Sequence, residues 1–228
     1  MSHFKLLDLG LKPYQEVLQL QEKLFEENIE AKLQNKPTQN YLILCEHNPV
    51  FTLGKSGKRA NILVSDEDMH AEFYHVYRGG DVTFHGPGQL VAYPILDLDT
   101  LQISLSQDIY QLEEIIIESL KNYGLQAQRL EGAAGIWLGD ADNSILNRKI
   151  CAIGVKASRN ITMHGLAINI HTDLSYFDKI VACGLPNKST TSLQKELNFP
   201  VQMCDYKAIL INEFSLNFAL YAFEKDLK

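Results

Sequence analysis

Residues 78–89 of the chain have the sequence Arg78-Gly79-Gly80-Asp81-Val82-Thr83-Phe84-His85-Gly86-Pro87-Gly88-Gln89. Apolar runs flank this stretch and predict a strand on either side of it. Its last four residues are typical of a type II turn, because proline fixes φ at the second position and glycine allows a positive φ at the third. The two glycines after Arg78 allow a close approach of main chain to a ligand. The stretch therefore predicts either a tight hairpin in a β-rich sheet or a ligand-binding loop.

Two nucleotide-binding motifs are excluded by the same residues. The stretch contains no Gly-Lys-Ser/Thr, so it is not a phosphate-binding loop. It also lacks the Gly-x-Gly-x-x-Gly pattern that opens a helix in dinucleotide-binding folds. The glycines must therefore serve another kind of site or a structural turn.

Composition sets the broad class of the protein. The chain has 228 residues, of which 46% are hydrophobic and 21% charged, as is ordinary for a globular protein. Its formal net charge of -7 argues against nucleic acid as the main partner. It contains no long apolar run that predicts a membrane span, and the first residues lack the apolar core of a secretory signal. We expect no membrane association and a cytoplasmic location.

The hydrophobic pattern predicts an α/β (α+β) fold, with a mixed β-sheet and flanking helices. No repeat, linker or low-complexity segment interrupts the chain, so residues 1–228 are expected to form a single domain. The predicted helices lie at about 13–33, 106–123 and 205–223, and the predicted strands at about 41–46, 50–53, 75–78, 82–85, 89–96, 134–138, 149–155 and 165–170.

One of the four cysteines stands in a different context from the others. Cys45, Cys151 and Cys204 are explained as small core residues. Cys183 precedes a glycine in a polar, turn-rich segment, where exposure and reactivity are expected. None of the four belongs to a Cys-x-x-Cys pair, so we expect reduced thiols and no metal site.

The seven histidines show no zinc-binding spacing, and a structural or surface role is the default for each. His85 and His164 differ from the rest because both stand beside glycine at the end of an apolar strand. This position favours a side chain that faces a pocket.

Five segments along the chain form an ordered set of motifs. They are Glu46-His47-Asn48-Pro49-Val50-Phe51-Thr52-Leu53-Gly54, the stretch at 78–89, Arg148-Lys149-Ile150-Cys151-Ala152-Ile153-Gly154, His164-Gly165-Leu166-Ala167-Ile168-Asn169, and Cys183-Gly184 followed by Thr191-Ser192-Leu193. Taken in this order, they resemble the motifs of the octanoyltransferases of lipoate biosynthesis. The resemblance covers about residues 41–197. One departure is Ala182, where many members have proline before the cysteine. The fold implied is similar to the catalytic domain of lipoate and biotin protein ligases.

The resemblance implies an acyl transfer. An octanoyl group would move from octanoyl-acyl carrier protein to a lysine of lipoyl domains, such as those of 2-oxoacid dehydrogenase complexes and of glycine cleavage H protein. Cys183 would be the nucleophile, because a thiolate attacks a thioester well and also leaves readily. Lys149 would either stabilise the thiolate or carry protons. No metal or other cofactor is expected.

The same resemblance implies an acyl pocket built from small residues. The residues expected to line it are Arg78, Gly79, Gly80, Asp81, Val82, Thr83, Phe84, His85, Ala152, Ile153, Gly154, Gly165, Leu166 and Ala167. Main-chain N–H groups near Gly79-Gly80 or Gly165 could bind the thioester oxyanion. Which of them does so is left open by the sequence.

Two other functions compete with octanoyl transfer. A lipoate–protein ligase has a related fold but activates a free acid with ATP, and its usual Gly-Gly-Gly and His-Asp signature is absent, since the third position here is Asp81. The Gly-Arg-Gly-Arg-x-Gly loop of biotin ligases is also absent. A catalytically silent binding module of the same fold is the non-enzymatic alternative, and the presence of both Lys149 and Cys183 counts against it.

A carrier protein is acidic, and so is this chain, so docking would need a local basic patch. The best candidates in the sequence are Lys55, Lys58 and Arg59 of a glycine loop, together with Arg148. The alternative is that these residues only make the loop soluble.

Overall fold

The computed structural model describes residues 3–139, 147–181, 189–219 and 221–224. Its helices are α1 (Tyr14–Leu33), α2 (Asp66–Met69), α3 (Leu98–Leu101), α4 (Leu105–Lys121), α5 (Leu193–Leu197) and α6 (Met203–Asn217). Its strands are β1 (His3–Lys12), β2 (Asn40–His47), β3 (Val50–Leu53), β4 (Glu72–His75), β5 (Val82–His85), β6 (Gln89–Ile95), β7 (Ala127–Leu130), β8 (Ala133–Leu138), β9 (Arg148–Ser158), β10 (Ile161–Asn169), β11 (Ser189–Thr190) and β12 (Tyr221–Glu224).

A large mixed sheet has the strand order β12-β1-β2-β6-β10-β9-β8-β7, with β11 beside β9. β1 pairs in parallel with both β2 and β12, whereas β2, β6, β10, β9, β8 and β7 pair antiparallel in turn. The short strand β11 runs parallel to β9 and places Thr190 opposite Lys149. The predicted mixed α/β class is confirmed.

A small second sheet has the order β4-β3-β5. The turn between β5 and β6 has the predicted type II features, because Gln89 N donates to Gly86 O at 3.1 Å and Gly88 has a φ of 81°. The alternative of a simple hairpin is wrong, since β5 pairs with β3 of the small sheet and β6 pairs with β2 and β10 of the large one. Residues 86–88 thus carry the chain from one sheet to the other.

Helices cover both faces of the large sheet. α4 and α6 pack together on one face, and α1 packs on the other, against β10 and β6. α4 begins with a capping box in which Ser104 and Gln107 exchange side-chain and main-chain hydrogen bonds. Its buried stripe, with Leu112, Ile116 and Leu120, has the predicted helical spacing. Within the described ranges, no helix is both long and apolar enough to cross a membrane.

The predicted and observed elements differ most near the two ends of the sheet. The last helix ends at Asn217, and the chain then forms β12 instead of continuing to residue 223. β1, which lies between β12 and β2, was not predicted from the sequence. β7 was not predicted either, because its four residues are all only half-buried and give a weak strand pattern.

An ionisable side chain lies in the core near the start of α4. Asp108 is fully buried, and neither of its carboxylate oxygens has a hydrogen-bond partner among the described residues. Burial raises the pKa of this carboxyl to about 7. In the unfolded chain the pKa of an aspartate is about 3.9, so ionisation favours unfolding as the pH rises above that value.

Replacing Asp108 by Asn should therefore stabilise the protein in a pH-dependent way. At pH 5 the folded carboxyl is neutral but the unfolded one is already ionised, so the variant should be more stable by about 1.5 kcal/mol. At pH 8 the variant should be more stable by a few kcal/mol, because each unit of pKa shift is worth about 1.4 kcal/mol. Urea unfolding at both pH values measures the difference. A stability gain that is equal at pH 5 and pH 8 would contradict the assignment of the effect to ionisation.

Candidate active site

A cavity of about 280 Å³ lies against the large sheet. Strands β6, β10, β9 and the start of β8 supply one side, and the loop that follows β4 together with β5 supplies the other. The residues that line it are Tyr14, Ser56, Arg78, Gly80, Asp81, Val82, Thr83, His85, Val91, Tyr93, Gly132, Ala133, Ala134, Ala152, Ile153, Gly154, His164, Gly165, Leu166 and Ala167. Most are apolar or small, as is usual for a site that holds an organic ligand.

The cavity exists because small residues bring two pieces of main chain close together. Gly79 N donates to Val155 O of β9 at 3.1 Å, so the 78–80 loop lies directly on that strand. A Cβ on the neighbouring Gly154 would stand only 2.7 Å from Gly79 O. A residue with a side chain at position 154 would therefore push the loop off the sheet.

A buried chain of hydrogen bonds joins the two sheets. Gln89 Nε2 donates to Phe84 O at 3.1 Å and to Asn169 Oδ1 at 2.8 Å, and Asn169 Nδ2 donates to Thr191 O at 3.0 Å. Gln89 Oε1 lies 2.8 Å from His85 Nδ1, which must therefore carry the proton. Each of these buried polar groups is satisfied by a neighbour, which favours one arrangement of the site.

Thr52 extends this chain to Arg78. The hydroxyl of Thr52 lies 3.4 Å from Nε2 of His85 and accepts from Arg78 Nη2 at 2.9 Å. Arg78 Nη2 also donates to Thr52 O at 2.7 Å, and Nη1 donates to Gly79 O at 2.9 Å. The guanidinium is therefore bound to protein groups while it borders the cavity, and it holds the glycine loop on β3.

Three buried histidines around the cavity are neutral. Burial lowers the pKa of His47 to about 4 and that of His85 and His164 to about 3. The positive charge of Arg78 lowers the pKa of His85 and His164 further. His164 Nδ1 has no hydrogen-bond partner among the described residues, although its main-chain N–H donates to Gln21 Oε1 at 3.0 Å. The cavity thus has one fixed cation in its wall and neutral imidazoles.

Lys149 lies beside the cavity. Its ammonium group donates to Ala134 O at 2.8 Å, and Ala134 lines the cavity. The same ammonium lies 4.6 Å from the ring centre of Trp137, a favourable cation–π contact. Thr191 N donates to Lys149 O at 2.9 Å, so the described chain resumes beside Lys149 after the segment that carries Cys183. Cys183 itself lies outside the described residues.

The structure brings together most of the residues predicted to bind substrate. Arg78, Gly80, Asp81, Val82, Thr83, His85, Ala152, Ile153, Gly154, Gly165, Leu166 and Ala167 line the cavity. Gly79 and Phe84 do not. Gly79 packs on β9 with its N–H donated to Val155, so in this arrangement it cannot bind an oxyanion. Phe84 points away from the cavity and stacks on Tyr176, with ring centres 4.3 Å apart.

The predicted basic patch is smaller than the sequence suggested. Lys55 and Lys58 are exposed, in a loop whose main chain pairs with residues 78–80 and whose Ser56 borders the cavity. Arg148, in contrast, makes two 2.8 Å hydrogen bonds with the Glu196 carboxylate. This bidentate pair engages Arg148 in holding α5 against β9.

Several site residues were missed because they come from elements remote in sequence. Tyr14 falls within the helix predicted at about 13–33, for which no site residue was predicted, but it borders the cavity. Tyr93 falls within the strand predicted at about 89–96, and Thr52 lies inside the segment at 46–54. No site role was predicted for either residue. A signal was available for Tyr93 and Thr52, since polar side chains in otherwise apolar buried strands need a specific partner.

Among the residues described, no group of three or more His, Cys, Asp or Glu side chains is placed to bind a metal ion. Cys45 and Cys151 are buried as predicted, and burial raises the pKa of each thiol. Neither thiol is a ready nucleophile, because the thiolate form is disfavoured. The prediction that Cys204 is a core residue is wrong, because Cys204 lies at an exposed position of the first turn of α6.

Comparison with known proteins gives a consistent result. Residues 13–215 match the family model described as lipoyl protein ligase A/B catalytic domain. A protein named octanoyltransferase from Parabacteroides distasonis is 49% identical over 203 residues, which cover 88% of this chain and 91% of that protein. Another octanoyltransferase, from Cytophaga hutchinsonii, is 44% identical over 225 residues, covering 94% and 92% of the two chains.

Solved structures share the fold at much lower identity. A putative lipoate protein ligase from T. acidophilum with bound lipoic acid superposes with a TM-score of 0.71 and 18% identity, covering 98% of this chain and 89% of the other. Biotin protein ligase from Aquifex aeolicus with biotin and ATP has a TM-score of 0.54 and 12% identity, covering 94% and 70%. The fold expected from the sequence is confirmed by the first of these likenesses.

Because the three histidines are neutral in the folded protein, we expect the free energy of unfolding to fall at acidic pH. An unfolded histidine has a pKa of about 6.5, so the stability from each is present above that pH and is lost as the pH falls towards the folded value. Between about pH 6 and 4.5 the unfolded chain binds about three more protons on these histidines than the folded chain does. The folded chain binds one more proton on Asp108 than the unfolded chain does. The free energy of unfolding should then fall by about 2.7 kcal/mol per pH unit, the value for a net two protons.

Urea unfolding at several pH values in this range measures that slope. Replacing His164 by Gln should reduce the slope by about one proton, whereas replacing the exposed His75 by Gln should leave it unchanged. A parent protein whose stability is flat from pH 6 to 4.5 would show that the histidines are protonated in the fold.

Proposed function

The chain belongs to the octanoyltransferases of the lipoyl protein ligase A/B catalytic domain family, and we propose that it transfers octanoyl from acyl carrier protein to lipoyl domains through a thioester on Cys183. It is an acyltransferase of protein lipoylation. The observation that carries the mechanistic proposal is the cavity of small residues with Lys149 at its edge. We also propose that residues 1–228 form one catalytic domain, since the family match spans 13–215.

The proposed reaction has two transfers. The Cys183 thiolate attacks the carbonyl carbon of the octanoyl thioester, and the carrier's pantetheine thiolate leaves and takes a proton. The neutral ε-amine of the acceptor lysine then attacks the Cys183 thioester, the cysteine thiolate leaves, and the nitrogen loses a proton as the amide forms. A thiolate suits both steps because it is a good nucleophile and a good leaving group.

We assign Lys149 the handling of charge and protons at Cys183. Support comes from the position of Lys149, which is buried at the cavity edge and linked through Thr191 to the chain that leaves the cysteine segment. An ammonium near the thiol favours the thiolate. As an amine, the same group can accept the proton released by the attacking lysine.

The cavity supplies the binding energy for the acyl chain. Burying seven methylene or methyl groups at about 0.8 kcal/mol each gives roughly 5–6 kcal/mol before the costs of binding. The neutral histidines are suited to binding an alkyl chain, because the chain would desolvate a charged side chain at a high free-energy cost. The partners that follow are octanoyl-acyl carrier protein as donor and lipoyl domains of 2-oxoacid dehydrogenase complexes or glycine cleavage H protein as acceptors.

Incubation with octanoyl-acyl carrier protein and a lipoyl domain tests the proposal. Intact mass should show octanoyl on the lipoyl domain without ATP, and without the acceptor it should show one octanoyl group on Cys183. The Cys183→Ser variant should lose transfer, because a serine hydroxyl is a far weaker nucleophile without further activation. Dependence on ATP and free octanoate would instead assign the chain to ligase chemistry.

One control variant and one test variant complete this experiment. Cys204→Ser replaces an exposed thiol outside the proposed site and should retain full transfer. Lys149→Ala should slow formation of the Cys183 adduct and shift alkylation of that thiol to higher pH. An adduct mapped to Cys45, Cys151 or Cys204 would remove Cys183 as the nucleophile.

We infer that Lys55 and Lys58 help to dock the acidic carrier protein at the cavity. The double change Lys55→Glu and Lys58→Glu should raise the KM for octanoyl-acyl carrier protein and leave the rate with a small octanoyl thioester unchanged, because screened surface charges act mainly on encounter. Steady-state rates with the two donors measure this. The matched control reverses two exposed charges elsewhere, Lys23→Glu and Lys36→Glu. Equal loss with both donors would place the damage in the cavity or the fold.

A further inference from the structure

The cavity runs across the strands of the large sheet. Val91 of β6 pairs with Ala167 of β10, and Ala167 pairs with Ala152 of β9. These three residues form one row on the cavity side, and their side chains are small. Neighbouring strands lie about 4.8 Å apart, so the distance from β6 to β8 is about 14 Å. The length of a ligand in the cavity is therefore limited along this row.

Lys149 marks one end of the row. Its ammonium binds the carbonyl oxygen of Ala134 on β8. In the proposed function the reacting carbonyl lies at this end, so the alkyl chain extends from β8 towards β6. The role inferred for the opposite end of the row rests on that proposed function.

Aromatic rings close the opposite end. Tyr93 and Tyr14 both border the cavity and are 4% and 2% exposed. The Tyr93 hydroxyl and His47 Nε2 lie 2.8 Å apart, and His47 Nδ1 lies 3.0 Å from Lys12 O, so the hydroxyl donates to a ring that donates to main chain. The Tyr14 ring packs edge-on against His47, with centres 5.2 Å apart. These contacts hold the Tyr93 ring in place.

We propose that Tyr93, fixed by His47 and flanked by Tyr14, sets the longest acyl chain that the enzyme accepts. Seven C–C bonds of about 1.5 Å limit an octanoyl chain to roughly 10 Å, which fits between two ends about 14 Å apart. The ring of Tyr93 occupies the remaining length, so longer chains collide with it. Removing the ring opens space towards His47 and Cys45, which lie directly behind it.

Chain-length profiles test this assignment. Initial transfer rates are measured with octanoyl-, decanoyl- and dodecanoyl-acyl carrier protein. Tyr93→Ala should raise the dodecanoyl-to-octanoyl ratio of kcat/KM by at least about tenfold, since a pocket that rejects extra methylene groups discriminates on this scale. Tyr93→Phe loses the hydrogen bond but keeps the ring and its packing against the His47 ring, with centres 5.9 Å apart in the parent, and should keep the ratio of the parent. Tyr110→Ala removes an exposed tyrosine on α4 and should also keep it.

A second measurement separates this inference from the function on which it rests. Calorimetric binding of free octanoate, decanoate and dodecanoate to the parent and to Tyr93→Ala needs no transfer. If the parent prefers octanoate, the variant binds dodecanoate, and neither transfers from the carrier protein, the proposed function fails and the role of Tyr93 stands. If Tyr93→Ala keeps the parent's preference in both assays, the role of Tyr93 is overturned. If it unfolds, Tyr93→Leu provides the same comparison with less loss of volume.

Discussion

The arrangement of the site depends on one buried amide, that of Gln89. Its nitrogen donates to Phe84 of the small sheet and to Asn169 of the large sheet, and its oxygen accepts from His85. These groups are buried, and leaving one of them unsatisfied would cost about 1–3 kcal/mol. The amide therefore ties the small sheet to the large one and sets the proton position on His85. The residues that the small sheet contributes to the cavity wall are held in place by this junction.

Polar side chains in the cavity wall form hydrogen bonds with other protein groups. Arg78 is bound by Thr52 and by its own loop, and Tyr93 is bound by His47. Because these groups face protein partners, the surface left for a ligand consists largely of small and apolar residues. An alkyl chain can then bind without displacing a hydrogen bond of the fold. The hydrogen-bonded polar side chains keep the cavity wall rigid, and the glycine and alanine residues leave space for the ligand.

The sequence was most informative where local chemistry determines local structure. The type II turn before Gln89 depends on residues next to each other, and it was predicted from them. The choice of strand partner is not local, which is why residues 82–85 and 89–95 were not recognised as members of different sheets. Residues 221–224 form a strand only because β1 offers a parallel edge, and a helical pattern cannot reveal that edge.

The site shows the same division. Motifs that follow one another in the chain, such as those of Lys149 and His164, could be identified by resemblance to a family. Tyr14 and Tyr93 could not, because their relation to the cavity arises from the packing of α1 on β6. A tyrosine in an apolar stripe gives the same periodicity whether it packs on a neighbour or borders a ligand.

Trp137 is the only tryptophan in the chain, and it lies buried directly beside the Lys149 ammonium. Indole emission responds to the charge and polarity of its surroundings, and here one aromatic ring carries the whole signal. A change in the charge of Lys149, or in its distance from the ring, therefore alters the fluorescence of the protein without a label. The fold thus places an optical reporter next to the group that we assign to proton transfer.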